Sequence, residues 1–130
     1  EWFGPTDFLK MDEQLAAAGL GPCDHSEKDS PESRYMGGQI TTLESEWIQL
    51  ANPMTYIHPG MPHMFIEHGS RDHIVPCMQS VMFVEKIRKE LGYGCVQFEI
   101  LQGADHADPM FNSEENMQKV FNYLDKHLKE

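Results

Sequence analysis

The stretch Met64-Phe65-Ile66-Glu67-His68-Gly69-Ser70-Arg71-Asp72-His73-Ile74-Val75-Pro76 decides the fold class. Met64, Phe65 and Ile66 follow Pro62 as a continuous apolar run that leads into His68-Gly69. A run of this kind suits a strand covered on both faces of a parallel sheet, so it predicts a central strand. Beyond Pro76, Cys77, Val81, Val84, Ile87 and Leu91 recur at helical spacing, Glu85 and Lys89 stand four apart as an ion pair, and Gly92 supplies a stop. From Cys95 to Leu101, Val96, Phe98 and Ile100 alternate with Gln97 and Glu99, the pattern of a half-buried edge strand. A final helix starting near Asn112 or Ser113 is predicted to carry Met117, Val120, Phe121, Leu124 and Leu128 on one stripe.

Toward the N-terminus, Thr6 or Asp7 caps a short helix through Phe8, Leu9, Leu15 and Ala16 that stops at Gly19. The stretch from Gly21 to Met61 is rich in Pro, Ser, Gly and charge. Within it Ser30-Pro31-Glu32 opens a helix with Pro at its first position, and residues 42–51 offer another with Leu43, Trp47 and Leu50 on one side. Residues 7–57 are therefore expected to form a helical excursion, and residues 58–130 a β-α-β-α core. The order helix, strand, helix, strand, helix implies a parallel α/β layer structure with functional residues at the carboxyl ends of the strands.

The chain has 130 residues, with 10 Lys and Arg against 21 Asp and Glu, for a net charge of −11. This length fits one domain and buries roughly 68% of the surface an unfolded chain exposes, so no metal or disulfide staple is needed. The acidic balance repels phosphate backbones and anionic headgroups, which argues against nucleic acid and membrane surfaces as partners. No apolar run approaches the ~20 residues of a spanning helix, and no basic segment leads an apolar one at the N-terminus. Cys23, Cys77 and Cys95 are odd in number and lack C-x-x-C spacing, which suggests free thiols in a reducing, cytoplasmic setting. A first residue of Glu1 rather than Met leads us to expect a piece of a longer protein.

Two polar clusters lie where chemistry is expected: His68 to Pro76 after the central strand, and Gly103-Ala104-Asp105-His106-Ala107-Asp108 after the edge strand. Loops after consecutive parallel strands share a rim, so Asp72 and His106 can meet although distant in sequence. A carboxylate that accepts from one imidazole nitrogen fixes the tautomer and leaves the other nitrogen as a base. Alone, Asp72 would be a turn or cap residue and His106 a loop histidine; the pairing of the clusters is what raises them. His58, His63, His68 and His73 recur every five residues. That spacing turns ~140° per step on a helix and switches face on a strand, so the four cannot converge on a metal. Cys23 reads as a loop thiol, the methionines as core filler, and Trp2, Trp47 and Tyr56 as core aromatics rather than cleft residues.

The run Trp2-Phe3-Gly4-Pro5-Thr6-Asp7-Phe8, the segment Asn52-Pro53-Met54-Thr55-Tyr56, His68-Gly69 to Asp72 with Val75-Pro76, and Gly103 to His106 resemble the second half of an α/β-hydrolase of the esterase and lipase type. The resemblance covers nearly the whole chain. It implies that Asp72 holds the acid position and His106 the general base of a catalytic triad, and that the stretch from Asp7 to Ile57 is a cap shaping the acyl and alcohol pockets. Family members carry a G-x-S-x-G nucleophile elbow upstream, and no serine here stands in that setting. The expected chemistry is acyl transfer on a small-molecule or polysaccharide-linked carboxylic ester, without cofactor or metal, by a protein whose nucleophile lies before this chain. The chain alone is expected to be inactive, and its exposed sheet edge to favour homo-oligomers. A peptidase fragment of the prolyl-oligopeptidase kind and a non-catalytic binding domain on a hydrolase scaffold are the alternatives.

Overall fold

Two parallel strands place everything else. In the computed structural model, which describes residues 1–128, β1 (Met64–Gly69) pairs with β2 (Val96–Leu101), Met64 opposite Val96 and Gly69 opposite Leu101. The N-terminal residues run along the other side of β1. The Glu1 ammonium donates to Phe65 O at 2.7 Å, Glu67 N to Glu1 O at 3.0 Å, and Phe3 N to Glu67 O at 3.0 Å. β1 is thus flanked on both sides, and residues 65–69 are all buried, as a central strand requires.

The crossover from β1 to β2 is the fourth helix in chain order, α4 (Met78–Leu91). Phe83, Val84 and Ile87 pack with Ile66, Val96 and Met54 into the main apolar core. Its covered face differs from the anticipated stripe: Gln79, Ser80 and Phe83 are buried, while Cys77 and Val81 are only partly so. The reason is polar. Gln79 Oε1 accepts from the backbone N–H of Thr6 and Asp7 at 2.8 and 2.6 Å, and Ser80 meets His68, so the helix turns these two inward. The expected Glu85–Lys89 pair gives way to Glu85 with Arg88 at 3.3 Å and Lys86 with Glu90 at 3.5 Å. Exposed pairs of this kind contribute under about 1 kcal/mol each.

The excursion begins with a 3-10 turn, Phe8–Lys10, leading into α1 (Met11–Ala17), whose Met11 and Leu15 are buried. At α2 (Pro31–Met36) the Ser30 hydroxyl accepts from Ser33 N at 3.1 Å, and Gly37 at φ +78° closes the helix in the left-handed region. In α3 (Ser45–Gln49) the inward residue is Ile48, not the predicted Trp47 and Leu50, which are 54% and 58% exposed. A single-turn helix offers one anchor position, and Ile48 takes it. Trp47 and Tyr56 lie on the surface, with Nε1 and OH donating to Met36 O and Leu50 O, so of the three aromatics Trp2 alone packs against the core, half-buried beside Phe111.

α5 (Glu114–Leu128) likewise departs from its stripe, since its buried residue is Asn116 while Phe121, Leu124 and Leu128 are exposed. It is held through Asn116 Nδ2, which donates to Glu67 Oε2 at 3.2 Å and Phe111 O at 3.1 Å, and through Tyr123, whose ring lies tilted with its centroid 5.3 Å from that of Phe65. Among the described residues no helix is long and apolar enough to cross a membrane, and the three cysteines are free.

Candidate functional site

The loops after β1 and β2 are stitched together mainly through their backbones. Ser70 N donates to Leu101 O at 3.0 Å, Arg71 N to Ala104 O at 3.0 Å, and Gly103 N to Ser70 Oγ at 2.8 Å. Gly69 permits this approach, because a Cβ there would stand 2.4 Å from Ala104 O. The rim therefore brings Asp72 and His106 together as the sequence anticipated.

Asp72 is fully buried, and both its oxygens are committed. Oδ1 accepts from Ile74 N at 2.9 Å and Val75 N at 2.8 Å; Oδ2 accepts from His106 Nδ1 at 2.8 Å and lies 3.2 Å from His68 Nε2. Burial on its own raises the Asp72 carboxyl, but bonds from His68, Ile74 N, His106 and Val75 N outweigh it and hold the group below the usual carboxylate range. His106 Nδ1 faces this carboxylate and so carries the proton, which leaves Nε2 as the basic nitrogen. The imidazole stays one-quarter exposed and packs 4.5 Å from the Phe3 ring. Ala107, next in sequence, and Phe3, next in space, have φ of +54° and +40°, the two non-glycine residues of positive φ among those described. Strain of this kind costs about 1–3 kcal/mol per residue and persists where surrounding contacts dictate the backbone.

Sequence reasoning missed three parts of the site. His68, noted at the head of the first polar cluster and in the histidine series but given no role, is buried beneath Asp72 with Nδ1 2.7 Å from Ser80 Oγ and Nε2 2.8 Å from Val75 O. With Nε2 facing two oxygens the proton lies there, and the Ser80 hydroxyl donates to Nδ1. The second part is a mirror pair, in which His73 Nδ1 meets Asp105 Oδ2 at 2.9 Å. Its members are 38% and 50% exposed, so water weakens that pair while Asp72 acts without screening. Of the two carboxylates, Asp72 is therefore the one that meets its histidine out of reach of water. A signal was available, because an Asp-His dipeptide occurs once in each loop.

The third part reaches in from the excursion. His25 Nε2 donates to Ile74 O at 2.7 Å while Nδ1 lies 3.1 Å from Glu32 Oε1, both side chains buried. The Glu32 carboxylate pushes the His25 imidazole up against the opposing effect of burial, and Ile74 is the residue whose N–H braces Asp72. A mostly apolar cavity of about 300 Å³ opens nearby, walled by Gln14, Leu20, Ser70, Pro76, Cys77 and Met78. None of the sulfur or hydroxyl groups at hand is poised as a nucleophile. Burial, aided by the Asp72 charge, pushes the Cys77 thiol up to about 11, and the hydroxyls of Ser33, Ser70, Ser80 and Ser113 are all taken up in structural bonds. The four histidines of the series go to separate places: His58 to Pro59 O, His63 to Gly94 O, His68 beneath Asp72 and His73 to Asp105.

Comparison with known proteins finds this chain similar to esterases. Over 57 residues, 44% of this chain, the sequence is 37% identical to Esterase LipQ of Mycobacterium tuberculosis, of which that stretch is 13%. Among solved structures, a truncated form of a carbohydrate esterase from gut microbiota superposes over 99% of the chain and 41% of its own length, with a TM-score of 0.75 at 21% identity. A bifunctional GH43-CE protein of Bacteroides eggerthii covers 98% of the chain at a TM-score of 0.76 and 27% identity, with 16% of its own length matched. The chain thus spans less than half the length of each of these relatives. The BD-FAE family model matches residues 1–87, about two thirds of the sequence. From the first strand-side residues through the Asp72 loop to most of α4, the chain belongs to the BD-FAE family of α/β-hydrolase-like esterases.

Proposed function

We propose that this chain forms the C-terminal part of a serine carboxylic-ester hydrolase and supplies the acid and base of its triad, Asp72 and His106, to a serine upstream of residue 1. The observation that carries this reading is the 2.8 Å bond from His106 Nδ1 to a carboxylate that is wholly buried and held ionised. Such a bond fixes the tautomer and stabilises the imidazolium that forms when Nε2 takes the serine proton. The serine oxygen attacks the ester carbonyl, the proton passes from Nε2 to the departing alcohol, and the acyl-enzyme is hydrolysed by a water that Nε2 activates in turn. Residues 7–57 act as the cap over this rim, tied to the acid loop through His25 and Ile74. The substrate is a small-molecule or polysaccharide-linked carboxylic ester, a class supported by the esterase names of the relatives.

The test is hydrolysis of p-nitrophenyl acetate by the full-length protein. Replacing His106→Ala is expected to lower kcat by at least ~10³-fold, the scale of losing a triad member. The isolated 130-residue chain is expected to show no turnover. Activity of the full-length His106→Ala variant equal to the parent, or turnover by the isolated chain that disappears in His106→Ala, would refute the assignment.

A further inference from the structure

The two rim loops are crossed in a way that ordinary acid and base positioning does not require. Each contains one Asp-His pair, and each Asp binds the histidine of the other loop: Asp72 takes His106, and Asp105 takes His73. The two halves of the cross differ in kind. Asp72 spends Oδ1 on its own loop, receiving Ile74 N and Val75 N. Asp105 spends Oδ1 on both loops at once, receiving His73 N at 2.9 Å and His106 N at 2.7 Å, while Oδ2 meets the His73 ring at 2.9 Å. One carboxylate oxygen therefore joins the backbone immediately after Asp72 to the backbone of His106 itself. Asp105 is in turn fixed by its own turn, where Asp108 N donates to Asp105 O at 3.2 Å.

We propose that Asp105 is a positioning residue that clamps the acid loop to the base loop and so sets the Asp72–His106 distance, with the His73 ring, bonded to its second oxygen, steadying the clamp. This rests on the assignment of Asp72 and His106 made above. The clamp addresses a definite mechanical problem. Ala107 at φ +54° strains the backbone directly after the base, and the His106 ring is partly exposed; the loops are joined further back through Ser70, Arg71 and Gly103, and Asp105 Oδ1 carries the tie to the His106 main chain itself. Displacement of a reacting group by about 1 Å costs on the order of 10²-fold in rate. Asp105 touches neither substrate nor the reacting nitrogen; it acts through the position of His106.

The experiment uses the full-length protein with two independent readings. The first is kinetics on p-nitrophenyl acetate. Asp105→Ala is expected to lower kcat by about 10- to 100-fold with KM within about twofold, and Asp105→Asn, which retains an oxygen for both N–H groups, to recover most of that loss. The second is the low-field proton resonance of His106 Nδ1–H, which is expected to move upfield and broaden in Asp105→Ala but to persist in Asp105→Asn. Thermal unfolding accompanies both, since the side chain is half exposed and its removal is expected to leave the fold intact. Unchanged kcat and an unmoved resonance in Asp105→Ala overturn the clamp, as does equal loss in the Ala and Asn variants. Full activity in Asp72→Asn and His106→Ala would refute the catalytic assignment instead, with the resonance still deciding whether Asp105 sets the pair.

Discussion

Glu67 occupies the middle of β1 without exposure to water, an unusual place for a carboxyl with no basic partner in contact. Oε2 receives Trp2 Nε1 and Asn116 Nδ2, while Oε1 has no partner, and neither does Asn116 Oδ1. Burial raises this carboxyl above its ordinary value, an effect that the bonds from Trp2 and Asn116 only partly offset and that the neighbouring Glu99 charge reinforces. Because the folded form then binds its proton more tightly than the unfolded chain, stability falls as pH rises from about 4.5 through the folded value. Glu67→Gln keeps an oxygen for the two donors and removes the charge. It is expected to stabilise the protein near pH 7 by on the order of 1 kcal/mol, the scale of an unsatisfied buried acceptor. The gain should vanish near pH 4 in urea unfolding; a variant less stable than the parent at pH 7 would refute this. Asp72 and His106 were legible because each follows a strand and closes a turn-rich loop. The roles of Glu67 and His68 were not, since an apolar run with two polar residues does not reveal which of them finds a partner deep in the sheet.

At the scale of elements, every helix expected from the sequence exists, and the two strands fall where alternation and apolar continuity placed them. What failed was the choice of face on α3 and α5, and in part on α4, where Val84 and Ile87 do line the core but Gln79 and Ser80 join them. Hydrophobic spacing assumes that the most apolar side turns inward. Here Gln79, Ser80 and Asn116 turn inward because each answers a polar group elsewhere: the backbone at Thr6, the imidazole of His68, the carboxyl of Glu67. Such matches are long-range and leave no periodic trace. The excursion shows the same dependence, and its tie to the rim has a pH signature. His25 is raised by Glu32, so its contribution is complete below about 6.5 and is lost as pH rises through the higher folded value. Burial raises Glu32, but bonds from His25, its own backbone N–H and Ser30, with the His25 charge, together hold it low, so its contribution is complete above about 4.5 and is lost as pH falls through the lower folded value. The pair is therefore strongest between these limits. Glu32→Gln, which leaves the buried imidazole without its anion, is expected to cost about 3 kcal/mol near pH 5.5 and less toward pH 3 and pH 9. Denaturant midpoints of both proteins across that range check the shape, and a pH-independent difference would contradict it.

At the scale of the whole molecule, the faces of α3 and α5 that sequence reading turned inward are left uncovered. Phe121, Leu124 and Leu128 are 53%, 41% and 74% exposed along one side of α5. Tyr35, Trp47 and Leu50 line a second apolar depression on the excursion. Contiguous exposed apolar surface of this kind marks a site of association. Opposing it is the net charge of −11, which makes copies of the chain repel one another over a Debye length of about 10 Å at 0.1 M salt. The balance predicts that the isolated chain self-associates at micromolar concentration, and more strongly as salt rises from 0.05 to about 0.5 M, where the Debye length shrinks to roughly 4 Å. Phe121→Glu with Leu124→Lys leaves the net charge unchanged and breaks the apolar side of α5, so it is expected to return the chain to monomer by light scattering. Association that survives this double change, with the same salt dependence, would move the driving surface to the unpaired outer edge of β2, where backbone groups rather than side chains make the contact.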